Sequence, residues 1–220
     1  MRRALTLIAG AVAILLIGLI AFEGYALWRA QKRTPAVLAE AAKGEIVLSD
    51  VPKRRLDMLL RVEDPAFYNH QGVDFSTPGA GMTTITQGLV KRFYFAHFQK
   101  GFPKIEQSLI ARFVLNPAMP KNDQLKAYLN FTYFGRNEGR PVIGYADAAR
   151  SYYGRELAQL NDREFLSLVA MTIAPNQLDP VRHNAANAER VRRIEAMLAG
   201  KCAPQNLRDI AYHACANGGD

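Results

Sequence analysis

The sequence predicts a mainly α-helical domain behind one N-terminal apolar helix. Three observations predict it. Residues 4–22 carry no charge and are rich in Leu, Ile, Ala and Val. Apolar residues then recur at three- and four-residue steps through most of the remaining chain. Alternating apolar and polar runs bounded by hairpin turns are absent, which predicts little or no sheet.

The elements follow in order. Met1-Arg2-Arg3 precedes the apolar run, and a helix rising about 1.5 Å per residue makes that run nearly match the ~30 Å of a bilayer core. It is long for a signal-peptide core and no small-x-small cleavage site follows, so residues 1–22 read as an uncleaved anchor, with a cleaved signal peptide as the rival. Tyr25 and Trp28 fall where an interfacial aromatic belt is expected. The two leading arginines favour a cytoplasmic N-terminus, and Arg29, Lys32 and Arg33 weigh against it. Either way, the rest of the chain is exported. Residues 23–50 read as a juxtamembrane connector, partly helical over 37–42, residues 51–198 as the compact domain and 199–220 as a tail. Within the domain the helical faces are Leu56, Leu59, Leu60 and Val62; Ile85, Leu89 and Phe93; Ile105, Leu109 and Phe113; Leu125, Tyr128 and Leu129; Phe165, Leu168, Val169 and Thr172; and Val191, Ile194 and Leu198.

The composition, 49% hydrophobic and 22% charged, is that of a globular chain. A net charge of +8 points to an anionic partner: a membrane surface, a phosphorylated substrate or nucleic acid. No zinc-finger or aromatic RNA-binding signature is present, so nucleic acid is not the expected partner. Cys202 and Cys215 are the only cysteines. In an oxidising compartment they read as a disulfide, with two unpaired thiols as the alternative, and without C-x-x-C spacing they do not suggest a metal site.

Three constellations carry chemistry. Glu63-Asp64-Pro65 opens the first, which continues through Phe67, His70, Gly72 and Asp74. Pro65 disfavours helix at Asp64, so the acidic pair lies where a helix gives way to a turn. A carboxylate there, beside aromatic residues, can be desolvated and suited to proton transfer. The second runs from Gly81 to Arg92. Its spacing puts Thr83 or Thr84, Gln87 and Lys91 on one helical face, with hydroxyl, amide and cation able to cradle a phosphate near a helix N-terminus. In the third, Lys104-Ile105-Glu106, the glutamate falls beside the apolar stripe of its helix. Taken singly, each also reads as a cap or a solvated polar face.

In their order and spacing these motifs resemble the peptidoglycan glycosyltransferases of glycosyltransferase family 51. The pattern E-D-x-x-F-x-x-H-x-G-x-D is matched by Glu63, Asp64, Phe67, His70, Gly72 and Asp74. The pattern G-x-S-T-I-T-Q-Q-x-x-K-N is matched by Gly81, Thr84, Ile85, Thr86, Gln87 and Lys91; Thr83, Gly88 and Arg92 are substitutions. The third motif keeps Glu106 but has Phe102 and Pro103 in place of its basic pair, with Lys100 and Lys104 nearby. The fourth runs from Tyr128-Leu129-Asn130 through Phe134-Gly135. The fifth comprises Gly144, Ala148-Ala149, Tyr152-Tyr153-Gly154 and Glu164, running on to Pro175 and Pro180. The resemblance spans about residues 50–198. Only six residues separate Asp74 from Gly81, where the family usually carries a longer mobile segment.

The resemblance implies a lysozyme-like, mainly helical fold with a cleft, anchored to the bacterial cytoplasmic membrane with its catalytic domain outside. It implies a polyprenyl-pyrophosphate-linked glycan as donor, lipid II as acceptor, and other cell-wall synthesis proteins as partners. Glu63 and Glu106 are the expected catalytic carboxylates, Glu63 as general base. Asp64, Phe67, His70, Thr83, Thr84, Gln87, Lys91, Arg92 and Lys104 are the expected substrate contacts, and Mg²⁺ or another divalent cation is expected at Glu106. The rival readings are a glycan-cleaving enzyme on the same scaffold, which has no use for a phosphate cradle, and a non-catalytic cell-wall protein, favoured by the short 74–81 segment and the altered third motif.

Overall fold

A computed structural model describes residues 2–99 and 101–216. Helix α1 (Arg2–Ala41) is a single 40-residue rod, about 60 Å long at 1.5 Å per residue. Its first half is exposed and long and apolar enough to cross a membrane. Its second half belongs to the domain: Ala30, Val37 and Ala41 join the core, and Thr34 Oγ1 lies 2.9 Å from the Tyr94 hydroxyl. The connector expected over 23–50 is therefore mostly helix built into the core. Tyr25 and Trp28 stack with centroids 5.8 Å apart, with Arg29 and Lys32 over their rings.

The domain follows in order: α2 (Lys53–Glu63), α3 (Ile85–Tyr94), α4 (Phe102–Ile110), a π-helical turn (Ala111–Leu115) leading into the short α5 (Asn116–Ala118), α6 (Lys121–Phe131), strands β1 (Tyr133–Asn137) and β2 (Arg140–Ile143), α7 (Tyr145–Tyr153), α8 (Asp162–Met171) and α9 (Asn184–Leu198). Helix dominates, as the periodicity predicts. Aromatic packing of Phe134 against Tyr145 and of Tyr145 against Phe165 joins β1, α7 and α8, so the fourth- and fifth-motif segments share one core.

Two expectations are corrected. First, β1 and β2 form an antiparallel hairpin. Its two-residue turn has φ values of 49° at Glu138 and 80° at Gly139, the left-handed pair that matches hairpin twist. Gly135 and Pro141 interrupt the alternation that would have announced it. Second, the Ile105, Leu109 and Phe113 stripe does not face the core. Ile105 and Phe113 are exposed, while Gln107, Ile110, Ala111, Val114 and Leu115 are buried. The π-helical turn shifts the helical phase, and α4 and that turn pack beside α1.

The segment after α9 is also part of the domain. Cys202 and Cys215 are disulfide-bonded with Cα atoms 5.5 Å apart, and Tyr212 and Cys215 are fully buried.

Candidate active site

Helix α2 stops at Glu63, as Pro65 requires. Asp64 leaves the helix with φ −159° and ψ 73°, and the two acids part company. Asp64 turns inward and Glu63 outward.

Asp64, 1% exposed, accepts from His70 Nε2 at 2.9 Å and from the backbone N–H of Ile85 at 2.9 Å. His70 Nδ1 accepts from the Gly72 N–H at 3.0 Å, so Nε2 carries the proton shared with Asp64. Gly72 has φ +91°, and a Cβ there would lie 2.5 Å from the Ala111 carbonyl oxygen. Phe67 is 1% exposed, with the Lys121 ammonium 4.5 Å from its ring centroid. These three motif residues therefore tie the turn after α2 to the start of α3 and to α6. Asp64 and Phe67 are enclosed by protein and His70 is part-buried, so these residues shape the turn that presents Glu63.

Thr84 is the N-cap of α3. It accepts from Gln87 N, its own N–H donates to Gln87 Oε1, and its hydroxyl donates to the Gly72 carbonyl at 2.7 Å. That capping box consumes both side chains. Gln87 is fully buried and donates through Nε2 to Ser108 Oγ at 2.8 Å. Gln87 is thus turned into the protein, while Thr84 both caps α3 and lines the cleft that holds Glu63. Gln87 leaves the expected row because the capping box turns it toward α4.

The cleft has a volume of about 810 Å³. Glu63 forms part of it with Thr83, Thr84, Lys91 and Arg92, and the aromatic residues Phe95, Phe98, Phe131 and Tyr133 line it as well. Lys91 Nζ lies 5.4 Å from the Phe98 ring centroid, and Arg92 lies near those of Phe93 and Phe131. Lys104 reaches the same edge by donating to Thr83 Oγ1 at 2.8 Å. Burial, and then the neighbouring Lys91 charge, hold the Lys104 ammonium down at about 8.

Glu106 is not part of this cleft wall. It comes within electrostatic range of Glu23 on α1. Glu63 is the carboxylate found among the residues that line the cleft. Among the described residues no group of three potential metal ligands gathers. Lys100, the other substitute for the third-motif cations, lies outside the described residues.

The surroundings of Glu63 explain its chemistry. Burial pushes its carboxyl above the usual range; hydrogen bonds from Tyr128 and Thr172 and the charge of Arg190 oppose that rise, while Asp64 adds to it. Tyr128 donates to Oε2 at 2.6 Å and Thr172 Oγ1 lies 2.7 Å from Oε1. Thr172 Oγ1 lies also 2.7 Å from the Val169 carbonyl oxygen. One hydroxyl proton cannot serve two acceptors. A protonated Glu63 resolves the conflict by donating to Thr172, which then donates to Val169. The site is shaped to receive a proton.

Tyr128, Thr172 and Arg190 were not singled out from the sequence. Tyr128 lies in the fourth motif and reads there as an apolar-face residue. Thr172 is the one hydroxyl on the face of Phe165, Leu168 and Val169, a usable signal. Arg190 sits in a run of basic residues on α9 and carries no local signal.

A helical domain with one elevated carboxyl facing a cationic, aromatic-rimmed cleft is the frame of an enzyme acting on an anionic substrate. Residues 32–199 match the Transglycosylase family model, and the chain belongs to that family of glycosyltransferase enzymes. It is 30% identical over 166 residues to penicillin-binding protein 1F of Bacillus subtilis, covering 70% of this chain and 22% of that protein. It is 30% identical over 162 residues to penicillin-binding protein 1B of Haemophilus influenzae, covering 68% of this chain and 20% of that one. A provisionally named transglycosylase of Cupriavidus necator is 27% identical over 165 residues, with 70% of this chain and 68% of that protein covered. The chain thus spans about a fifth of the length of the penicillin-binding proteins it matches.

Proposed function

We propose that this chain polymerises peptidoglycan glycan strands, with a polyprenyl-pyrophosphate-linked glycan as donor and lipid II as acceptor. The observation that carries the reading is the shared cleft of Glu63 with Lys91 and Arg92. Glu63 takes the proton from the acceptor 4-hydroxyl as its oxygen attacks the donor anomeric carbon. The bond from that carbon to the pyrophosphate oxygen breaks, and configuration inverts to give a β-1,4 link. The transition state has oxocarbenium character, as in glycoside chemistry. As Glu63 gains its proton it can donate to Thr172, so the network is better satisfied after transfer than before. That difference favours the transition state over the ground state.

Charge leaves on the pyrophosphate. Lys91 and Arg92 stand where that charge develops, with Lys104 held beside them through Thr83, and preorganised cations in a partly desolvated cleft stabilise it. No step here is routed through a metal. A glycan-cleaving enzyme leaves a sugar hydroxyl, not a diphosphate, and needs no such wall. The apolar half of α1 anchors the domain, which confines its search to the membrane surface that holds both lipid substrates. Arg2 and Arg3 before that half favour a domain on the outer face of the cytoplasmic membrane, against the opposing vote of Arg29, Lys32 and Arg33, and an oxidising compartment there supports the Cys202–Cys215 bond. Other cell-wall synthesis proteins are the expected partners there.

The test is a polymerisation assay on lipid II run beside digestion of preformed sacculi. Glycan growth by wild type, absent in Glu63→Gln, supports the proposal. Soluble muropeptides from sacculi assign the rival cleaving activity, and binding of lipid II without growth assigns a non-catalytic role.

A further inference from the structure

The family match ends at residue 199, yet the segment beyond it packs against the catalytic cleft. Cys202 and Cys215 close a loop of 13-residue separation. Within that loop the carbonyls of Asn206 and Leu207 accept from the N–H groups of Gly79 and Gly81, each at 3.0 Å. The fit is close. Gly79 has φ +77° and Gly81 φ +71°; a Cβ at Gly79 would lie 2.5 Å from Pro204 Cγ, and one at Gly81 would lie 2.9 Å from Ile210 Cγ2. Gly79, Gly81 and Ile210 all line the cleft with Glu63. The short segment between Asp74 and Gly81 is therefore held as a wall by the disulfide-closed loop.

The same loop holds an arginine. Arg190 on α9 is 5% exposed and lines the cleft. Its Nε donates to the Ala170 carbonyl at 2.9 Å and its Nη1 to the Ile210 carbonyl, and its guanidinium carbon lies 5.4 Å from the Tyr212 ring centroid. Tyr212, 1% exposed, donates its hydroxyl to the carbonyl of Val62, the residue before Glu63, at 2.9 Å. Loop, arginine and the end of α2 are thus joined by three contacts, and a fourth ties the arginine to α8.

We propose that the disulfide-closed segment Cys202–Cys215 is a positioning element of the transferase site, holding the Arg190 guanidinium toward Glu63 and fixing Gly79–Gly81 as a wall of the cleft. The catalytic part rests on the reading of Glu63 as the base. The groups facing Glu63 are Tyr128 from α6, Tyr145 from α7, Thr172 after α8, Arg190 from α9, Tyr212 from the loop and the adjacent Asp64. Arg190 is the only cation among these. Its charge favours the carboxylate, so displacing it leaves Glu63 protonated to higher pH.

The experiment uses the full chain in detergent, with Arg190→Met, Arg190→Lys, Tyr212→Leu and the paired change Cys202→Ser/Cys215→Ser, each checked for fold by circular dichroism. The acid limb of the kcat–pH profile moves up by ~0.5–1 pH unit in Arg190→Met, Tyr212→Leu and the cysteine pair, and Arg190→Lys restores it. A loss of kcat that is equal at all pH values, or an unmoved limb, overturns the positioning role. A moved limb in Arg190→Met with none in the cysteine pair overturns the part given to the loop. If wild type does not polymerise lipid II, the proposed function fails separately. A ¹³C titration of the Glu63 carboxyl in the same variants then decides: a raised midpoint supports the inference and an unchanged one overturns it. If the cysteine pair does not fold, that titration is run on wild type before and after mild reduction, with the same two outcomes.

Discussion

Tyr128 donates its hydroxyl to Glu63 Oε2 across 2.6 Å, so the fourth-motif helix reaches the carboxylate that ends the first-motif helix. Burial, with the nearby Glu63 charge, pushes the Tyr128 phenol well above its ordinary range. It stays a donor throughout the working pH range. Tyr128→Phe removes one of the two side-chain donors that oppose the rise of Glu63. The acid limb of polymerisation then moves to higher pH by about 0.5–1 unit, and a kcat–pH profile reads it.

Glu63→Gln removes the base and lowers kcat by at least ~10²-fold. The same change raises stability. The folded protein holds Glu63 above its unfolded value, so its favourable contribution is full below the ordinary glutamate range and is lost as pH rises through the raised value. Glutamine resembles the protonated form: its carbonyl accepts from Tyr128 and its amide donates to Thr172. Thermal melts at pH 8 therefore show a Tm increase of about 2–4 °C, and the gain shrinks toward pH 4. No gain at pH 8 would count against the buried, proton-receiving site.

If the Lys91 cation binds the donor diphosphate as proposed, Lys91→Ala raises the donor KM and weakens its salt dependence, and Lys91→Arg keeps most of both. Lys104 adds a pH signature. Held at about 8, it loses its charge as pH rises through that value, which places an alkaline limb there. Lys104→Arg moves the limb out of the accessible range; a limb unchanged in that variant separates Lys104 from the phosphate.

His70→Ala leaves the buried Asp64 with one donor fewer. The expected result is a loss of ~2–4 kcal/mol in stability, read as a lower denaturation midpoint, while KM of the folded fraction stays near wild type. A raised KM with unchanged stability would return His70 to the substrate.

Glu106 lies within electrostatic range of Glu23 on α1 and is not among the residues that line the cleft. Glu106→Gln is expected to retain polymerisation within about threefold, against the 10²–10⁴-fold of a general base, and to leave any Mg²⁺ dependence of the rate unaltered. A loss comparable to Glu63→Gln would restore the second carboxylate.

Several features were legible in the residues alone. Pro65 ends α2 at Glu63, the Thr84-to-Gln87 spacing opens α3, and the apolar steps through Leu89, Leu129, Leu168 and Ile194 mark buried faces. These are short-range effects of backbone sterics, capping and periodicity, which act within one or two turns. The hairpin escaped because Gly135 and Pro141 break its alternation, although its turn residues were in view.

The sequence by itself thus determined the helices, the apolar N-terminal run and the place where Glu63 is presented. Only the tertiary structure decided which side chains share the cleft. It turned Gln87 and Asp64 inward and brought Tyr128, Thr172 and Arg190 to Glu63 from positions 65, 109 and 127 residues away. The reason is physical: local propensity sets the course of each helix, but its rotation about its own axis is settled by packing against partners far along the chain.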